Sequence, residues 1–211
     1  MIRLFLIENL QLTRSAIVSI FRGVADISVV GAAGSGEEGI AAVKKEKPDV
    51  ILMDIKLPGI NGLETGKKIL ALCPDVKLLA LTSCSDGVYP IRLIRAGFNG
   101  YLTKGCSEEE LVNAIRQVHL GQKYIAQKVA QAMVTQSFSS KGDSVFDILS
   151  ERELEAVSMI VSGMSADAIA ERLFLRPKTV NCYRHRLCKK MGMDNDVELT
   201  HLAMRHGLID L

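Results

Sequence analysis

Paired cysteines, long apolar runs and net charge are all scarce in this chain. Its five cysteines, Cys73, Cys84, Cys106, Cys182 and Cys188, form no CxxC pair. Their odd number and irregular spacing exclude a disulfide framework or a zinc cluster as the organising element. Reduced thiols in a cytoplasmic protein are the expectation. The longest apolar runs, such as residues 50–53, are far too short to cross a bilayer, so no membrane partner is expected. The apolar residues at the start of the chain meet an acid at Glu8 with no small-residue cleavage site behind them, which reads as a buried strand and not a signal peptide.

A net charge of +2 over 211 residues leaves whole-chain charge silent about partners, but the charge is unevenly placed. Between residues 176 and 190 stand six basic residues and no acidic one (Arg176, Lys178, Arg184, Arg186, Lys189, Lys190). The remainder is slightly negative. A local basic stretch of this kind points to a local polyanion site. With 48 % apolar and 24 % charged residues the composition is that of an ordinary globular protein, and the length suits two small domains.

The two halves follow different patterns. Over residues 2–120, short apolar runs (3–7, 27–31, 50–54, 77–81, 100–103) alternate with helix-period segments (10–21, 36–45, 62–70, 88–96, 107–120). Five repeats of strand then helix predict a doubly wound α/β fold around a five-stranded parallel sheet. Ser107 and Glu110 predict a capping box for the last of these helices. Residues 122–146 read as a linker: a short helix over 126–133, then a polar, turn-rich run at 137–144. Residues 147–211 show no strand pattern. Four helices are predicted there, at about 150–162, 166–173, 177–191 and 197–206, the first opened by a Ser150/Glu153 capping box and the third by Pro177. Gly163 and Gly207 are read as helix stops.

Ligands of open α/β sheets bind beyond the carboxyl ends of the strands. The strand ends here carry Glu8 and Asn9, then Asp54, then Thr82, then Lys104. Acids, a hydroxyl and an amine on one sheet edge suit phosphoryl chemistry. Asp54 can serve as the nucleophile, and oxygen donors beside it can hold Mg²⁺. Lys104 and Thr82 can each meet a phosphoryl oxygen. A phosphatase of the haloacid-dehalogenase type needs a second aspartate two residues after the nucleophile. That position is Lys56, so no enzyme is predicted.

Residues 52–63 (LMDIKLPGINGL), 81–83 (LTS) and 100–105 (GYLTKG) resemble the phosphoacceptor, switch-threonine and lysine segments of response-regulator receiver domains. The resemblance implies that Asp54 accepts phosphate from a sensor histidine kinase and that Tyr101 is a switch aromatic moving with Thr82. Receivers usually carry two adjacent acids after the first strand, and Glu8-Asn9 departs from that. One carboxylate is lost from the Mg²⁺ set of Glu8, Asn9 and Asp54, and hard cations bind through charge, so a weakened site is expected. Two readings stay open: phosphorylation at Asp54 with weaker metal dependence, or a pseudo-receiver that works without phosphate.

In the basic segment, Val180, Tyr183, Leu187 and Met191 recur at three- and four-residue spacing and predict the buried stripe of a helix. Lys178, Asn181, Cys182, His185, Arg186 and Lys189 then face outward. A helix, a short turn and a basic helix is the layout of a DNA-reading helix-turn-helix. Residues 149–154 (LSEREL), 169–173 (IAERL) and 177–181 (PKTVN) resemble the LuxR-type signature. Together with the receiver, this identifies the chain as similar to the NarL/FixJ class of regulators, and residues 178–184 and 196–208 look like its GacA/UvrY branch.

The resemblance implies base contacts from Asn181, Cys182 and His185. It implies phosphate contacts from Lys178, Thr179, Arg184, Arg186 and Lys189, and a homodimer contact near Leu199 and Leu202. Double-stranded DNA, a sensor histidine kinase, a second copy of the chain and RNA polymerase are the implied partners. Genes for small regulatory RNAs are the implied targets. The domain boundaries expected are 1–121 for the receiver, 122–146 for the linker and 147–211 for the DNA-binding domain.

Overall fold

A computed structural model describes residues 1–83, 88–127, 129–131, 133–134, 145–173 and 175–205. The chain divides into two compact units. Unit one is Met1–Ser85 with Tyr89–Ala130. Unit two is Gln131–Leu211, to which 86–88 are grouped.

The first unit alternates β1 (Ile2–Ile7), α1 (Gln11–Phe21), β2 (Ile27–Ala33), α2 (Gly36–Glu46), β3 (Val50–Met53), α3 (Gly62–Leu72), β4 (Lys77–Thr82), α4 (Val88–Arg95), β5 (Gly100–Thr103), α5 (Glu108–His119) and β6 (Tyr124–Ile125). All strands are parallel, in the order β2-β1-β3-β4-β5-β6. The central strands are apolar without alternation, and Val50 to Met53 are fully buried, as a sheet covered on both faces requires. Where β1 meets β2 the register skips a residue between Leu4 and Phe5. There Gly31 stands so close to the Phe5 ring that an added Cβ would lie 2.6 Å from it.

The sixth strand is the departure from the five-stranded expectation. Two residues carry no periodicity, so β6 was not legible. It is fixed by tertiary hydrogen bonds: Tyr124 N–H to the Asn99 carbonyl at 3.0 Å, Ala126 N–H to the Tyr101 carbonyl at 3.1 Å, and Lys123 Nζ to the Phe98 carbonyl at 2.7 Å. The same strand alters the helix cap predicted at Ser107. The Ser107 hydroxyl accepts the Glu110 N–H, but the Glu110 carboxylate accepts from the Tyr124 hydroxyl at 3.3 Å. Burial, followed by the charge and hydrogen bond of Glu110, pushes the Tyr124 hydroxyl's pKa up.

In the second unit a short 3-10 turn (Val145–Ile148) leads to α6 (Glu151–Val161), α7 (Ala166–Leu173), α8 (Pro177–Lys190) and α9 (Asp196–Arg205). The predicted Ser150/Glu153 capping box is formed. Gly163 follows α6 at a φ of +75°, in the left-handed region that glycine tolerates. Leu154, Val157, Ile169, Leu187, Leu199 and Ala203 are buried in its core. Residues 127, 129–131, 133 and 134 are helical, reaching one residue beyond the end of the short helix expected over 126–133. The polar run at 137–144, His206 and the stop at Gly207 lie outside the described residues. Among the described residues no helix is long and apolar enough to cross a membrane.

Gly100 is where β6 presses on β5: an added Cβ would meet the Tyr124 carbonyl and a Leu79 methyl, each at 2.7 Å. Gly100→Ala is therefore expected to lower stability by about 1–3 kcal/mol, the usual cost of overpacking. Urea unfolding checks this, and amide exchange at Tyr124 and Ala126 should rise more than at residues of β1.

Candidate functional site

The strand order sets β1, β3, β4 and β5 side by side, so their carboxyl ends present Glu8, Asp54, Thr82 and Lys104 along one edge. Glu8 is 1 % exposed, Asp54 5 % and Thr82 fully buried. The Lys104 ammonium lies 2.7 Å from Glu8 Oε2 and 2.7 Å from Asp54 Oδ2. Two buried carboxylates thus share one cation. Their other oxygens accept backbone donors: Glu8 Oε1 takes the Leu10 N–H at 2.9 Å and Asp54 Oδ1 the Lys56 N–H at 3.1 Å. The Asp54 N–H is held by the Ile7 carbonyl and the Lys104 N–H by the Thr82 carbonyl, each at 2.9 Å, so the sheet itself sets the spacing. Burial alone would lower the pKa of the Lys104 ammonium. The hydrogen bonds and charges of Asp54 and Glu8 outweigh it and hold the group above its ordinary value.

Asn9 is exposed, and its carbonyl and that of Glu8 both accept from the Arg14 guanidinium, which ties down the turn into α1. Tyr101 is fully buried on β5, where it pairs in register with Ala80 of β4. Glu8, Asp54 and the Asn9 amide are hard oxygen donors, the class Mg²⁺ takes, so the donor set fits that ion. Among the described residues no group of three or more His, Cys, Asp or Glu side chains converges, so a cation would draw on two carboxylates.

In the second unit α8 carries the basic face. Arg176 precedes it without a side-chain cap, and Pro177 occupies the first turn, where its missing N–H costs nothing. Val180, Leu187, Cys188 and Met191 are buried. Tyr183, predicted for the buried stripe, is only half-buried, and the Arg186 guanidinium lies 4.5 Å from its ring centre. Cys188 takes the inner position, its thiol donating to Asp196 Oδ1. Burial and then the Asp196 charge push that thiol's pKa up.

Lys178, Thr179, Asn181, Cys182, His185, Arg186 and Lys189 are exposed. Arg184 is half-buried, and its guanidinium is paired with Asp196 at the start of α9. Lys190 is likewise bonded, at 2.6 Å, to Glu153 of α6. Burial alone would raise the Glu153 pKa. Lys190 and the Ser150 N–H and hydroxyl hold it below the ordinary carboxylate value.

Sequence reasoning missed Asp196 and Glu153 as partners of the basic helix. Both are acids in the first turns of their helices, a signal that marks a helix start but not what it faces. Two members of the basic stretch therefore pair with neighbouring helices of the same unit, and a DNA backbone would have to compete with Asp196 for Arg184.

Comparison with known proteins covers both units. The family described as "Response regulator receiver domain" matches residues 4–116, and "Bacterial regulatory proteins, luxR family" matches residues 147–203. Response regulator GacA of Pseudomonas protegens is 46 % identical, with 100 % of this chain and 99 % of that protein aligned. Response regulator UvrY of Escherichia coli is 44 % identical over 99 % and 96 %. The RcsB response regulator of Salmonella typhimurium superposes at a TM-score of 0.68 with 98 % of each chain covered, and at 18 % identity that likeness bears on the fold alone.

Removing the shared ammonium leaves two buried carboxylates facing each other. Lys104→Met is expected to cost about 3 kcal/mol, as for a broken buried pair, and Asp54→Asn added to it should return part of that loss. Because its pKa is raised, the stabilisation from Lys104 is fully present below its reference value of 10.5 and lost as pH rises through the higher folded value. Urea unfolding of wild type and Lys104→Met between neutral and alkaline pH checks both. On the DNA side, Lys189→Ala is expected to reduce the salt dependence of binding by about one phosphate contact, and Asn181→Ala to relax sequence preference. Arg184→Ala should leave the salt slope unchanged while destabilising the domain by no more than about 1 kcal/mol, its pair being partly exposed. Titrations on specific and random duplexes at several salt concentrations separate the three.

Proposed function

Since the chain belongs to the family of DNA-binding response regulators of two-component systems, in which a receiver domain is joined to a luxR-type DNA-binding domain, we propose that phosphorylation of Asp54 by a sensor histidine kinase controls its output. The observation that carries this is the Lys104 ammonium shared by Asp54 and Glu8 at the carboxyl edge of the sheet, beside Thr82. In the transfer, an Asp54 oxygen bonds to phosphorus as the bond to the kinase histidine nitrogen breaks, the electron pair leaving with that nitrogen. Lys104 exchanges one carboxylate oxygen for a phosphoryl oxygen, and Thr82 donates to another. The departure of Thr82 toward the phosphoryl group opens room for Tyr101 to follow, which re-shapes the β4–β5 side of the receiver.

Glu8, Asn9 and Asp54 would hold Mg²⁺, which supplies charge to offset the phosphoryl oxygens when bound. With asparagine where a third carboxylate would stand, that site is weak. The output is promoter binding in the cytoplasm by a homodimer, through the exposed face of α8: Asn181, Cys182 and His185 toward base edges, and Lys178, Thr179, Arg186 and Lys189 toward phosphates. A kinase, RNA polymerase and target genes for small regulatory RNAs complete the reading. Residues 1–121 and 147–211 are the proposed working domains, with β6 continuing the receiver sheet into the proposed linker.

The second reading, a pseudo-receiver that signals without phosphate, is favoured by one observation: Lys104 already pairs with both carboxylates where the acid pair is incomplete. A radiolabelled phosphodonor separates the two. Label on wild type that is lost in Asp54→Ala, and that saturates at lower Mg²⁺ in Asn9→Asp by about tenfold or more, is expected for a hard cation gaining a carboxylate. No Asp54-dependent label at any Mg²⁺ concentration would establish the pseudo-receiver.

A further inference from the structure

The segment 55–61 that follows Asp54 is held from two sides at Ile60. Its N–H donates to Glu37 Oε1 of α2 at 3.1 Å, and its carbonyl accepts from the Thr65 hydroxyl of α3 at 3.3 Å. Both backbone groups of this loop residue are thus satisfied by side chains of flanking helices. The close approach is built in. Gly36 opens α2 where an added Cβ would lie 2.2 Å from Thr65 Oγ1 and 2.9 Å from the Ile60 carbonyl. Gly59, at a φ of +71°, sits under the Glu37 carboxylate, where an added Cβ would be 2.5 Å from Oε1. Thr65 is fully buried, and Glu37 lies in the first turn of its helix, where the macrodipole favours a carboxylate.

From Ile60 the restraint runs to the acid. The Gly62 N–H closes on the Ile55 carbonyl at 2.9 Å, and a Cβ on Gly62 would stand 2.5 Å from the Asp54 carbonyl. Within this closed loop the Lys56 N–H is aimed at Asp54 Oδ1, while Lys104 holds Oδ2.

We propose that Glu37, acting with Thr65, is a positioning residue for phosphoryl acceptance. It fixes the loop that presents the Lys56 N–H to Asp54 and so sets the orientation of the attacking carboxylate. The inference rests on Asp54 being the phosphoacceptor. What Glu37 supplies is an acceptor at a fixed place, which an amide carbonyl also supplies, so charge is not required. A misplaced reactive group costs rate even when the fold is intact.

The test uses the full-length chain as wild type, Glu37→Ala, Glu37→Gln and Asp54→Ala. Two things are measured: the initial rate of labelling by radiolabelled acetyl phosphate, and amide hydrogen exchange at Lys56 and Ile60. Glu37→Ala is expected to slow labelling about tenfold, the usual scale for losing a supporting partner, and to speed exchange at both amides. Its melting temperature should stay within about 4 °C of wild type. Glu37→Gln should restore the rate to within about twofold and the protection with it. Equal loss in Glu37→Ala and Glu37→Gln, or wild-type protection at Lys56 in Glu37→Ala, overturns the inference. If the wild type takes no Asp54-dependent label, the phosphoacceptor reading fails and takes the role in phosphoryl acceptance with it. Exchange at Lys56 then still decides whether Glu37 holds the loop.

Discussion

A single ammonium group shared by two buried carboxylates organises the carboxyl edge of the receiver sheet. Glu8 and Asp54 end neighbouring strands, and a cation between them offsets the cost of their common burial. Lys104 meets that need from a third strand, at 2.7 Å to each. The arrangement constrains what surrounds it. The remaining carboxylate oxygens must find donors, and they find them in the N–H groups of Leu10 and Lys56 at the starts of two loops. The conformations of those loops are therefore tied to the charge balance of the pocket. Any anion arriving at Asp54 enters a site whose one fixed cation is already divided between two partners.

The asparagine at position 9 alters this balance without altering the fold. A third carboxylate would leave the pocket short of positive charge and hungry for a divalent cation. With the neutral Asn9 side chain exposed, Lys104 faces two carboxylates and not three. Reactivity and stability of this pocket are two sides of one electrostatic account.

The DNA-binding unit solves the opposite problem, an excess of positive charge on α8. Two of those cations are paired within the unit, Arg184 to Asp196 and Lys190 to Glu153, and they lace the helix to α9 and α6. What remains outward is a polar face with Arg186 steadied over the Tyr183 ring. The division matters for reading basic helices in general: a run of lysines and arginines holds both ligand-facing and scaffold-bracing members, and only the partners tell them apart.

Much of this protein is dictated locally. The alternation of apolar runs with helix-period segments determined the parallel sheet to within one or two residues at most element ends, because hydrophobic periodicity is a property of neighbouring residues. Ser150 with Glu153 and Pro177 marked helix starts for the same reason. The rule that open-sheet sites lie beyond the strand ends brings Glu8, Asp54, Thr82 and Lys104 onto one edge from the sequence alone. What only the tertiary structure decided are relations across long separations. Lys104 bridges Glu8 and Asp54 at once, Glu37 reaches Ile60, Arg184 turns to Asp196, Tyr183 stays half outside the core, and two residues at 124–125 become a strand because Asn99 and Tyr101 offer carbonyls to them. Such pairings leave no periodic trace in the chain, since they depend on which surfaces the folded sheet and helices bring within hydrogen-bond reach.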